Sequence, residues 1–62
     1  MSVRLVVSDD HPIMRQALAG YFSRAEEMEV VGQATNGREA VGLAVQLLPD
    51  GVLMDLKMPE MH

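Results

Sequence analysis

The sequence predicts an α/β fold in which strands and helices alternate, β-α-β-α-β, around a parallel sheet. Short apolar runs with strand character stand at residues 3–7, 30–34 and 52–54. Between them lie two stretches whose apolar residues recur at helical spacing. Alternating units of this kind join parallel strands through right-handed crossovers.

The first run, VRLVV, is β-branched and interrupted only by Arg4, which reads as a strand. Pro12 follows where a first helical turn accepts a proline, because the N–H it lacks would be unpaired there anyway. Asp10 or His11 is expected to flank that turn as its cap. Ile13, Met14, Ala17, Leu18, Tyr21 and Phe22 then form one apolar stripe of an amphipathic helix, with Arg15, Gln16 and Ser23 between them. Residues 24–27 are a polar break. The second strand, VVGQA, is weakened by Gly32. Asn36 followed by Glu39 has the spacing of a capping box, with Asn in place of Ser or Thr. Ala40, Val41, Ala44, Leu47 and Leu48 mark the second helix, which Pro49 stops. Asp50-Gly51 makes a turn, and the third run enters with Asp55 at its end, as a strand buried on both faces would.

Composition narrows the function classes. With 62 residues there is room for one small domain at most, and its core is marginal without help. There is no cysteine, so no disulfide framework. Residues 1–7 do not resemble a signal peptide, and no apolar stretch approaches the roughly 20 residues that cross a bilayer. A cytoplasmic protein without membrane partners is expected. The net charge is -4 and the five basic residues, Arg4, Arg15, Arg24, Arg38 and Lys57, are dispersed, which argues against a nucleic-acid surface.

In open parallel sheets ligands bind beyond the carboxyl ends of the strands, where strand order reverses. The first strand ends in Asp9 and Asp10 and the third in Asp55. If those strands are neighbours, with the second outside the first, three carboxylates converge. Their repulsion calls for protonation or a cation, and a hard divalent ion such as Mg²⁺ meets it best. Such an arrangement suits phosphoryl transfer, with an aspartate as nucleophile. The alternative use of Asp9 and Asp10, as acids favourable to a helix N-terminus, would be the better reading if Asp55 did not end another apolar run.

The stretches LVVSDDHPIMRQAL, VVGQATNGREAV and PDGVLMDLKMP resemble the receiver domain of LuxR-type (NarL/FixJ-type) response regulators. The likeness runs through nearly the whole chain and covers about the first half of a domain of that kind. It implies a flavodoxin-like, doubly wound parallel sheet, here β-α-β-α-β with strand order 2-1-3. It implies that Asp9 and Asp10 hold Mg²⁺, and that Asp55 accepts a phosphoryl group from the phosphohistidine of a histidine kinase. The backbone carbonyl of Lys57 would complete the metal shell, and Met58-Pro59 matches the pair that follows in the family. The chain would be an acceptor and not an enzyme, and would reach DNA only through a separate C-terminal domain.

The family's Ser or Thr after a fourth strand and Lys after a fifth, which hold the phosphoryl oxygens, have no counterpart in these residues. Lys57 cannot replace that lysine, since it follows Asp55 on the same loop. A second reading is therefore a folding or association module that does no signalling as cut. A metal-dependent phosphatase of the haloacid-dehalogenase kind is a third, but it wants an acid where Lys57 stands. A dinucleotide site fits worst, because SDDHP occupies the place of a glycine-rich loop. His11 is assigned no role, Arg15, Arg24 and Arg38 are expected to be exposed, and the six methionines read as core filler. The third strand is expected to stand at a sheet edge and to pair with a second copy, making a homo-oligomer.

Overall fold

The computed structural model describes residues 2–54. Its elements run β1 (Val3–Ser8), α1 (Pro12–Ser23), β2 (Met28–Ala34), α2 (Gly37–Leu47) and β3 (Gly51–Met54). The three strands form one parallel sheet in the order β2-β1-β3, as expected. The first crossover runs from β1 to β2 and the second back past β1 to β3; the right-handed rule for such crossovers puts α1 and α2 on opposite faces, and the two helices do not touch each other.

The core sits on the central strand. Leu5, Val6 and Val7 are buried, joined by Ala19 from α1, Ala34 from β2 and Ala40 from α2. β2 starts two residues earlier than its apolar run, because Met28 and Glu29 pair with Val3 and Arg4 through the backbone alone. The Val3 N–H also donates to the Glu27 carbonyl at 2.6 Å. Leu5 pairs with Val30 but Val6 with Gly32, so Val31 is an extra residue that bulges β2. A side chain at Gly32 would come within 3.2 Å of Leu47, so the glycine lets α2 lie close on the strand. Asp50 does more than turn the chain. Its N–H donates to the Arg4 carbonyl at 2.7 Å, and its Oδ2 accepts the Arg4 N–H at 2.7 Å.

Of the expectations about the helices, one is met and two are corrected. The cap of α1 is His11, one of the two residues expected there, in extended backbone and without a capping bond from its side chain; an extended conformation is what the following proline favours. The inward face of α1 is Arg15, Leu18, Ala19 and Phe22, not the full apolar stripe, and Ile13 and Tyr21 are 83% and 72% exposed. In α2, Val41 faces solvent, and Leu48 lies beyond the helix end in left-handed backbone, φ 49°. Pro49 excludes another helical turn there, and Leu48 takes the strained conformation that usually falls to glycine. The other end of α2 is as expected. Asn36 Oδ1 accepts the Glu39 N–H at 2.8 Å, while Glu39 Oε1 reaches back to Thr35, at 2.7 Å from its N–H and 2.6 Å from its hydroxyl. No helix among the described residues is long and apolar enough to cross a membrane.

Candidate functional site

Because β1 is the central strand, the residues after it stand at the middle of the sheet's C-terminal edge, where strand order reverses. Ser8 ends the strand, fully buried, and its hydroxyl donates to the Asn36 carbonyl at 3.3 Å. The Asp9 N–H extends the ladder by one bond to the Ala34 carbonyl, 3.1 Å. The acid that follows is thus held by backbone on the β2 side before any side chain acts.

Asp9 is only 4% exposed, and a buried carboxylate needs partners. Its Oδ1 accepts the His11 N–H at 2.8 Å and lies 3.0 Å from His11 Nδ1. The His11 backbone amide is the main reason the Asp9 carboxyl sits below the ordinary range; burial works against this, and the His11 ring and the Arg15 charge assist. Asp10 is more open, and its Oδ1 lies 2.9 Å from the same His11 Nδ1. Both ring contacts are attractive only when Nδ1 carries a proton, since a carboxylate can only accept. His11, which sequence reasoning left without a role, therefore bridges the acid pair from a largely exposed position.

The donor atoms of Asp9, Asp10 and His11 lie within 4.8 Å of one another. Two carboxylates side by side are the hard oxygen donors that suit Mg²⁺, so the residues fit such an ion. Asp55 and the Lys57 carbonyl, the other two expected ligands, lie outside the described residues, as does Met58-Pro59. Within them, Met54 pairs with Ser8. The chain therefore leaves β3 beside the point where it leaves β1, and Asp55 is the next residue.

Arg15 was expected in solvent. It is half-buried, and its Nη1 donates to the Asp9 carbonyl at 3.3 Å. On the other loop, Glu39 is held below the ordinary carboxylate range, first by the Thr35 hydroxyl, then by the Thr35 N–H, with a contribution from the Arg15 charge. The Asn36 and Glu39 spacing marked the helix start in sequence, but nothing local signalled that this loop would border the acids. An apolar groove with Leu18, Phe22 and Leu53 in its lining opens next to Asp9.

Residues 5–62 match the response regulator receiver domain family. The chain is 44% identical over 59 residues to the transcriptional regulatory protein LiaR of Bacillus subtilis, covering 95% of this chain and 28% of LiaR. It is 39% identical over 61 residues to the response regulator protein VraR of Staphylococcus aureus, covering 98% of this chain and 29% of VraR. Among solved structures, the signal receiver domain of NarL from Mycobacterium tuberculosis superposes with a TM-score of 0.89 at 41% identity, over 94% of this chain and 47% of that one. The response regulator domain of CheB from Thermotoga maritima gives 0.90 at 41% identity, over 95% and 44%. The chain thus spans under a third of these curated relatives and just under half of the two solved chains.

Proposed function

This chain belongs to the response regulator receiver domain family, and from that membership we propose that it carries the phosphoacceptor of a two-component regulator, Asp55. The observation that carries the proposal is the end of the central strand. A buried carboxylate, Asp9, is kept ionised by a backbone amide, next to Asp10 and beside the β3 exit that leads to Asp55. Ionised acids so placed favour a cation over a proton.

The work of this chain's residues is then one of charge and position. Asp9 and Asp10, with Asp55 and the Lys57 carbonyl, would hold Mg²⁺. When bound, that ion neutralises charge on the phosphoryl group in flight. A carboxylate oxygen of Asp55 attacks phosphorus, the bond to the donor imidazole breaks, and the acid ends as an acyl phosphate. Residues 1–62 supply the first three strands of the receiver domain. A kinase phosphohistidine is the donor, a separate domain contacts DNA to control transcription, and the setting is cytoplasmic. LiaR's name as a transcriptional regulatory protein supports this assignment. The chain acts as an acceptor and not as an enzyme. Its other expected partner is a second copy, because β3 is paired on one side only among the described residues.

The test is labelling by acetyl phosphate with Mg²⁺, on the sequence extended to the length of its relatives. Labelling is expected with the native sequence and lost with Asp55→Asn or on chelation of Mg²⁺. A D55N protein that labels normally contradicts the assignment. The 62-residue chain alone is expected to label poorly, because these residues hold no counterpart of the family's later Lys and Ser or Thr to offset the developing charge.

A further inference from the structure

Arg15 breaks the pattern of its helix. A cation placed between apolar residues reads as a solvated charge, yet it turns inward and is half-buried. Its backbone N–H donates to the His11 carbonyl at 2.9 Å, and its guanidinium donates to the Asp9 carbonyl at 3.3 Å. The first backbone bond of the helix thus holds one end of the turn at residues 9–11, and the Arg15 side chain holds the other. The Arg15 charge also acts on Glu39, whose carboxylate is fixed by the Thr35 N–H and hydroxyl at the first turn of α2.

We propose that Arg15 is a positioning residue, holding the turn at residues 9–11 in the shape in which Asp9 and Asp10 present their oxygens to a divalent cation. The inference rests on the reading of that acid pair as a cation site. The guanidinium fork is well suited to this, being always charged and able to reach a carbonyl while facing a carboxylate. Without it the Asp9 carbonyl loses its side-chain donor, and the turn, still tied through the Asp9 and His11 N–H groups, aims its acids less strictly.

Two effects of removing Arg15 have opposite signs, which makes the test decisive. By Coulomb's law alone, taking a positive charge away from a cation site tightens cation binding. If Arg15 positions the acids, its removal loosens binding, by about tenfold as for other partners that orient ligands from behind. Mn²⁺ binding to the chain is measured by the loss of the free-ion resonance signal, with far-UV circular dichroism confirming the fold. The native chain, Arg15→Met, Arg15→Lys and Asp10→Asn are compared. Amide exchange at His11 is followed without metal. Weaker Mn²⁺ binding and faster His11 exchange in R15M, with partial recovery in R15K, are expected. A folded R15M that binds Mn²⁺ as tightly as the native chain, or more tightly, overturns the positioning role and leaves the acid pair's reading intact. A native chain that binds no Mn²⁺, or binds it unchanged in D10N, overturns that reading and the positioning role with it.

Discussion

Asp9 shows two opposed forces and which one prevails. Burial alone would raise its carboxyl, but the His11 amide, the His11 ring and Arg15 act against it, and the balance falls below the ordinary range. A carboxyl depressed on folding adds stability that is complete above its unfolded titration range and is lost as pH falls through the folded one. Glu39, depressed through Thr35, acts with the same sign. The urea midpoint of the native chain is therefore expected to fall as pH drops through and below the carboxylate range. In Asp9→Asn the fall is expected to be shallower, with Glu39 contributing to what remains. Equal slopes in the two proteins would show that Asp9 contributes nothing to the pH dependence. At this scale the acids were legible, because a carboxylate that ends an apolar run is a local signal. His11 and Arg15 were not. Their meaning depends on which way a side chain turns, and a small error in helical phase changes that completely.

The same phase error explains what was and was not legible in the elements. Counting apolar residues located both helices, since the repeat survives any choice of face. It misjudged which residues face inward, because α1 packs through Arg15, Leu18, Ala19 and Phe22 while Ile13 and Tyr21 look outward. Helix ends were read more securely, as they depend on one residue and its immediate neighbours: Pro12 opens α1, Asn36 caps α2, and Pro49 follows its last turn. The start of β2 was missed because backbone pairing extends past the apolar run. The cap gives a direct test. Asn36→Ala removes the acceptor of the Glu39 N–H and is expected to lower stability by about 1 kcal/mol in chemical denaturation. The Ser8 contact to the Asn36 backbone carbonyl does not depend on that side chain. No loss of stability would show that the cap is redundant with the bonds from Thr35 to Glu39.

Among the described residues, three strands and two helices leave apolar side chains exposed. β3 has a neighbour on one side only among the described residues, and Ile13, Tyr21, Val41, Val45 and Leu48 are largely exposed. An open edge is a template for another strand. Two copies meeting β3 to β3 about a two-fold axis would set those strands antiparallel. Sedimentation across a dilution series is expected to show a dimer that dissociates on dilution with loss of structure; a folded monomer at low micromolar concentration would contradict it. The central claim, however, is that Asp55 is the phosphoacceptor, and locating the modification tests it most directly. The sequence extended to the length of its relatives is treated with acetyl phosphate and Mg²⁺, reduced with borohydride, and sequenced by mass spectrometry. An aspartyl phosphate is reduced to homoserine, so homoserine at position 55 and nowhere else is the result expected. Homoserine at position 9 or 10, or a phosphoryl group retained on His11, would contradict the claim.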